Sequence, residues 1–199
     1  DCVHEPAVVH PMATIFAALS AEAESTGASG QTLIEAVIVA VNIAVELGVA
    51  AETGLKFFRP ATAGLFGATL GIARLRGLDE DTAMSAMGCA LAQCAGVMQA
   101  HVEGKPTLPV QIAGAARAAV VACDLAQAGL AGPMSSLEGP YGYFAMFEDK
   151  ADPAIAAARL GKVQRITEVS WKPFPTGRAA QGGICLVQDL RAQGLTLDN

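Results

Sequence analysis

The 199 residues are 52% hydrophobic and 16% charged, enough apolar side chain for a core and too little charge for a disordered chain. The net charge of −6, with 13 Lys and Arg scattered rather than clustered, excludes the basic face that nucleic acid requires. The longest apolar run, Ala36 to Val41, stops at Asn42, short of the ~20 residues of a membrane span, so no membrane partner is expected.

Cys2, Cys89, Cys94, Cys123 and Cys185 are odd in number and none pairs at C-x-x-C spacing. They support neither a disulfide framework nor a zinc site, and predict buried, reduced thiols in a cytoplasmic-type compartment. Few charges and many Ala and Gly predict that a second subunit or domain covers part of the surface.

Residues 1 to 11 read as an irregular lead-in, with His4 and His10 bracketing Pro6. A helix follows from Met12 to Ser25, stopped by Gly27. Ser29 is placed to cap the next one, from about Gln31 to Glu52. On it Glu35, Asn42 and Glu46 form one polar stripe along an apolar cylinder. The stripe reads as a solvent edge; a catalytic carboxylate pair is the alternative.

Phe57 to Pro60 breaks the chain, and Pro60 suits the first turn of a third helix reaching Arg76. Gly64, Gly67 and Gly71 share one of its faces. Each costs a helix about 1 kcal/mol against Ala, so the three predict close helix–helix approach. Asp79, Glu80 and Asp81 open a fourth helix at the positive end of its dipole. It is expected to continue to about Gln99, with Gly88, Ala92, Ala95 and Gly96 as another small-residue face. After a break at His101 to Pro109, which contains Lys105, a fifth helix runs from Val110 to Gln127. The short loops predict antiparallel neighbours.

Ser135 to Glu138 resembles a capping box ahead of an aromatic-rich stretch ending at Phe147. Asp152-Pro153 opens a short helix closed by Gly161. Val163 to Trp171 alternates with β-branched residues and reads as the one strand. Ala179 to Gln193 is the last helix, stopped by Gly194. The expected fold is mainly all-α: a multi-helix bundle with glycine- and alanine-mediated packing and one short strand near the C-terminus.

Between strand and last helix, Ser170 to Gly183 places Lys172 and Arg178 around Pro173 and Pro175. A cationic segment stiffened by two prolines loses little entropy when it holds an anion. A strand-to-helix connector with solvated charges is the alternative.

Several of these residues together carry a family resemblance. His10-Pro11, the Phe57-to-Pro60 segment before a glycine-rich helix, and Gly77-Leu78-Asp79 occur in one order with three later features. Those are Ala113 to Leu130, Leu137-Glu138-Gly139-Pro140-x-Gly-x-Phe144, and Lys172-Pro173-Phe174-Pro175. In that order the chain resembles the MmgE/PrpD family over nearly its whole length. Members include 2-methylcitrate dehydratase, cis-aconitate decarboxylase and an iminodisuccinate epimerase. The resemblance implies cofactor-free homodimers without a metal, built from a helical domain and a smaller α+β lid, with the active site between the two. It implies that residues 1–199 are an incomplete helical domain lacking that lid.

The reactions of the family share removal of a proton α to a carboxylate, here of a small di- or tricarboxylate. That step needs fixed cations beside the developing charge and a base titrating near working pH. His10 matches the family's His-Pro histidine as the catalytic base or acid; capping the helix near Met12 is its alternative. Lys172 matches the family's Lys-x-x-Pro lysine as a catalytic residue that binds a substrate carboxylate or stabilises charge, with a surface lysine at a strand end as the alternative. Arg178 can present a planar fork to a carboxylate, or pair with an acidic neighbour. Arg59 and His4 are secondary substrate-binding candidates.

The chain also departs from the pattern. Leu108 and Gln111 stand where many members carry Lys and His, with Lys105 able to substitute only if its loop re-routes. Ala180-Gln181 stands for a common Thr-His pair. An enzyme of lyase or isomerase type and a helical scaffold without catalysis are both open on the sequence.

Overall fold

The computed structural model describes residues 2–52 and 54–196; Asp1 and Leu197 to Asn199, included in the expected domain, lie outside the described residues. Local chemistry sets most helix ends. Pro11 opens α1 (Pro11–Thr26), and Gly27 at φ 66 closes it in the left-handed region. Ser29 caps α2 (Gly30–Ala50), accepting from the Thr32 N–H at 3.1 Å. α3 (Arg59–Arg76) has Pro60 in its first turn, and Asp79 caps α4 (Glu80–Leu91) through the Thr82 N–H. Next come α5 (Gln99–Val102), α6 (Leu108–Gln127), α7 (Tyr143–Phe147), α8 (Pro153–Arg159) and α9 (Arg178–Ala192). Two short strands, β1 (Cys2–Val3) and β2 (Ser170–Trp171), pair antiparallel, with Cys2 opposite Trp171 and Val3 opposite Ser170. The chain is mainly all-α.

The glycine face of α3 sets the helix arrangement. A Cβ on Gly67 would lie 2.4 Å from the Ala40 carbonyl oxygen and 2.9 Å from Ala44 Cβ. One on Gly71 would lie 2.9 Å from Ala40 Cβ and 3.0 Å from Leu19 Cδ1. From Gly64 to Gly71 the neighbours in α1 advance from Thr14 to Leu19, while those in α2 retreat from Ala44 to Ala36. So α1 and α3 run parallel, and α2 runs antiparallel to both. The expected close approach is present, and this small-residue face is used inside the chain. α6 packs against α3 and α4, and Ile15, Leu19, Val41, Val45, Phe66 and Ile72 fill the interior. By length and composition α2 and α6 would each suit a membrane crossing; α2 turns its apolar positions toward α1, α3 and α8.

Five expectations need correction. α4 ends at Leu91 rather than near Gln99, because Phe58 donates to the Gly96 carbonyl and Phe57 bridges Val97, claiming backbone that a longer helix would use. The strand is confined to Ser170–Trp171, the part that meets β1; Arg165–Glu168 is a 3₁₀ turn. No helix starts at the supposed capping box. Ser136 and Leu137 instead accept through their carbonyls from Tyr143 and Phe144, and Ser136 Oγ is buried with no hydrogen-bond partner. The polar stripe of α2 is a solvent edge at Glu35 but not at its other end: Glu46 is 2% exposed and ion-paired to Arg165 at 2.6 Å, and Asn42 accepts from the Arg165 N–H. Among the thiols, all free, Cys185 is exposed on α9 rather than buried.

Candidate functional site

The segment that carries His10 and the segment that carries Lys172 meet at the β1–β2 ribbon, where Cys2 pairs with Trp171. Among the described residues, several contacts tie residues 2–10 to residues 168–178. They include the strand pairing, His4 Nε2 to Glu168 Oε2 at 3.2 Å, Ser170 Oγ to Glu5 Oε2 at 3.0 Å, and Arg178 Nε to Glu5 Oε1 at 2.7 Å. The ribbon is anchored to the bundle through Arg165, which donates to both Glu168 and Glu46 at 2.6 Å. Arg165 and His4 together hold the Glu168 carboxyl below its usual range, the Arg165 hydrogen bond being the larger cause. Between His4 and Val9 the chain doubles back in a bridge that forces Val8 to φ 49, an uncommon conformation for a β-branched residue. The strain sits two residues before His10.

His10 occupies the N-cap position of α1 but makes no side-chain cap hydrogen bond. Its Nδ1 lies 2.8 Å from the Cys2 carbonyl oxygen. A carbonyl only accepts, so Nδ1 carries the proton and Nε2 presents a lone pair. Burial lowers the His10 pKa below the usual histidine value, and the Lys172 charge adds to this against the raising effect of the Cys2 carbonyl. Lys172 is half-buried, and desolvation draws its ammonium below the usual lysine value. Burial thus favours the neutral imidazole at His10, with Nδ1–H on the Cys2 carbonyl and the lone pair on Nε2.

The other sequence candidates are placed differently. Arg59 is 2% exposed and engaged by Glu148 at 3.0 and 2.8 Å and by the Ala7 carbonyl at 3.1 Å, so it braces the interior. His4 is buried, its Nδ1 accepting from the Ala7 N–H and its Nε2 donating to Glu168, which occupies both nitrogens. Arg178 follows the acidic-neighbour alternative through Glu5. Lys105 is exposed in the turn before α6, and among the described residues its side chain makes no hydrogen bond or ion pair. Arg59 and His4 are buried and engaged within the chain, whereas Arg178 and Lys105 are exposed.

Both glutamines at the departure positions clamp backbone. Gln111 accepts from the Val97 N–H at 2.5 Å and donates to the Val97 carbonyl at 3.1 Å. Gln181, 7% exposed, accepts from the Phe174 N–H and donates to the Phe174 and Thr176 carbonyls, fixing the loop that follows Lys172. Sequence reasoning missed Glu5, Glu168 and Gln181 as organisers of this loop. Their partners lie on segments that nothing local connects, apart from Gln181 and its own loop.

Between α1 and the ribbon lies a groove of about 510 Å³ lined by Cys2, Met12, Ala13, Phe16 and Trp171, with neither His10 nor Lys172 in its lining. A separate groove of about 390 Å³ runs along α6, with Gln93, Gln111 and Arg117 in its wall. It contains neither His10 nor Lys172.

Compared with known protein families, the chain matches the model described as MmgE/PrpD N-terminal domain over residues 1–156. That match includes His10 and the whole bundle through most of α8, and ends before Lys172. Compared with curated proteins, the chain gives no match.

Proposed function

The chain belongs to the MmgE/PrpD family, which carries a dehydratase- or lyase-like function, and on that premise we propose that His10 and Lys172 serve proton abstraction α to a carboxylate. The observation that carries the reading is the orientation of His10. Its Nδ1–H is spent on the Cys2 carbonyl, leaving the Nε2 lone pair as base with the Lys172 cation alongside. In the step, Nε2 takes the proton and the C–H electron pair spreads onto the carboxylate oxygens. The Lys172 ammonium stabilises the charge gathered there. A β-substituent then departs with its bond pair as the double bond forms, or the proton returns on the other face, or it returns to another carbon and CO2 leaves, the bond pair left behind being protonated in turn. These outcomes correspond to dehydration, epimerisation and decarboxylation. The substrate in this reading is a small carboxylic acid, with di- and tricarboxylates supplied by the family resemblance. A homodimer in a cytoplasmic-type compartment, using no cofactor, belongs to the same proposal.

The test is exchange of α-protons in deuterated water, followed by NMR for a panel of carboxylic acids. Exchange is expected with at least one acid and should fall by about a hundredfold or more in His10→Ala. No exchange across the panel would count against the enzymatic reading. A second reading, a helical scaffold without catalysis, is favoured by one observation: Gln111 and Gln181 clamp backbone at positions where many members carry a histidine. It expects His10→Ala and Lys172→Met to leave every measured property of the folded protein unchanged.

A further inference from the structure

We infer that the groove along α6 is an anion site, one that holds a small ligand through a carboxylate or phosphate group. The inference does not depend on His10 or Lys172, which lie outside the wall of this groove. Its volume of about 390 Å³ falls within the roughly 300–1,000 Å³ of small-molecule sites. Two kinds of donor in the wall have no acceptor. The first is the Arg117 guanidinium, exposed and, among the described residues, in no hydrogen bond or ion pair. The one acid of α6, Asp124, lies two turns further on and is taken by Arg76 at 2.7 Å, so no neighbour on the helix neutralises that charge. The second is main chain. Between α4 and α5, Phe58 donates to the Gly96 carbonyl at 3.2 Å, and Gln111 brackets Val97 by accepting from its N–H and donating to its carbonyl. Among the described residues the successive N–H groups of Ala95 and Gly96 meet no acceptor, and both residues line the groove. Gly96 is itself buried, where an unspent donor is costly. Successive main-chain N–H groups make a concavity suited to an anion, and a guanidinium adds a planar fork for a carboxylate or phosphate. Because Phe58 and Gln111 already fix the segment, little entropy is lost when it binds. Ala115, Ala118 and Val121 line the remainder and suit a short hydrocarbon stem.

The whole protein, labelled with nitrogen-15, is titrated with inorganic phosphate, succinate and citrate, with chloride at matched ionic strength as the control, and its amide resonances are followed by NMR. Saturable downfield shifts are expected at Ala95 and Gly96 as their N–H groups gain an acceptor. Arg117→Gln should weaken that binding about tenfold or more, and Arg117→Lys should restore part of it. Gly114→Leu should block the groove without disturbing the bundle, since a side chain there starts into open space. Lys172→Met should leave the response of Ala95 and Gly96 unchanged, which separates this site from the one proposed for proton abstraction. Phosphate binding more tightly than either acid would support the site and assign it to a phosphoryl group; the reverse order would support it as a site for an organic acid.

Three results would overturn the inference. One is the absence of any saturable shift at Ala95 and Gly96 with all three anions. Another is an affinity that Arg117→Gln leaves as it was. The last is movement of the same two resonances on raising the protein concentration alone, which would give the groove to a second copy of the chain.

Discussion

Adding one methyl group at two glycines in long helices should change stability in opposite directions. In a helix interior Ala is favoured over Gly by about 1 kcal/mol, and a methyl added at Gly114 in α6 would have nothing within 4 Å. Gly114→Ala should therefore stabilise by about 0.5–1 kcal/mol. At Gly67 the same methyl would sit 2.4 Å from the Ala40 carbonyl oxygen, 2.9 Å from Ala44 Cβ and 3.2 Å from Ile15 Cδ1. The first of these is backbone inside α2, so no rotamer change relieves it and the two helices must part. Overpacking costs typically 1–3 kcal/mol, and a backbone clash lies at the upper end, so a net loss of about 2 kcal/mol survives the propensity gain. Urea unfolding followed by far-ultraviolet circular dichroism reads both variants. For a slope of ~2 kcal/mol/M the Gly67→Ala midpoint should fall by about 1 M, while that of Gly114→Ala rises slightly. A Gly67→Ala protein as stable as the parent would show that α2 and α3 do not approach as described, and the account of the bundle would fail with it.

The Arg59–Glu148 pair, each side chain 3% exposed, gives a second expectation. Glu148→Gln strands a buried guanidinium and disturbs the Tyr143 hydroxyl that donates to the same carboxylate, so a loss of about 3–5 kcal/mol is expected by the same assay. The double change with Arg59→Met should regain part of it. Titration of His10 gives a third. Because burial lowers its folded-state pKa below the ordinary 6.5, the unfolded chain binds the proton first as pH falls. The stability associated with neutral His10 is present above about 6.5 and is lost as pH drops through the folded value; His10→Gln should remove that component of the pH dependence. The rate of α-proton exchange should rise along an acidic limb below 6.5 and fall along a basic limb below the ordinary lysine 10.5 as Lys172 loses its proton. A profile flat across the acidic limb would refute the assignment of His10 as base. The thiols give the last. Cys185 is exposed, whereas burial pushes Cys94 and Cys123 up to about 12 and also raises Cys2 and Cys89. One thiol should react quickly with a disulfide reagent in the native protein and all five after unfolding; rapid reaction of Cys94 or Cys123 would contradict the packing.

The sequence by itself determined what depends on a few neighbouring residues. Ser29, Asp79 and Asp152 cap helices because their side chains reach N–H groups two or three positions on; Gly27, Gly77 and Gly194 end or follow helices because they adopt a positive φ at little cost. The close approach at Gly67 was also legible, since three glycines on one face of an apolar helix have few other uses. Only the tertiary structure decided the rest. Glu46 is buried because Arg165 arrives from 119 residues away to pair with it, which no periodicity along α2 encodes. Ser170–Trp171 became a strand, and its neighbours did not, because β1 offers two residues to pair. The resemblance named His10 and Lys172 separately, but the meeting of the segments that carry them depends on Glu5, Glu168 and Arg165 fastening one end of the chain to the other. Capping and turn energies are local and leave a local trace, whereas a charge pair or a strand pair exists only once the chain has closed on itself.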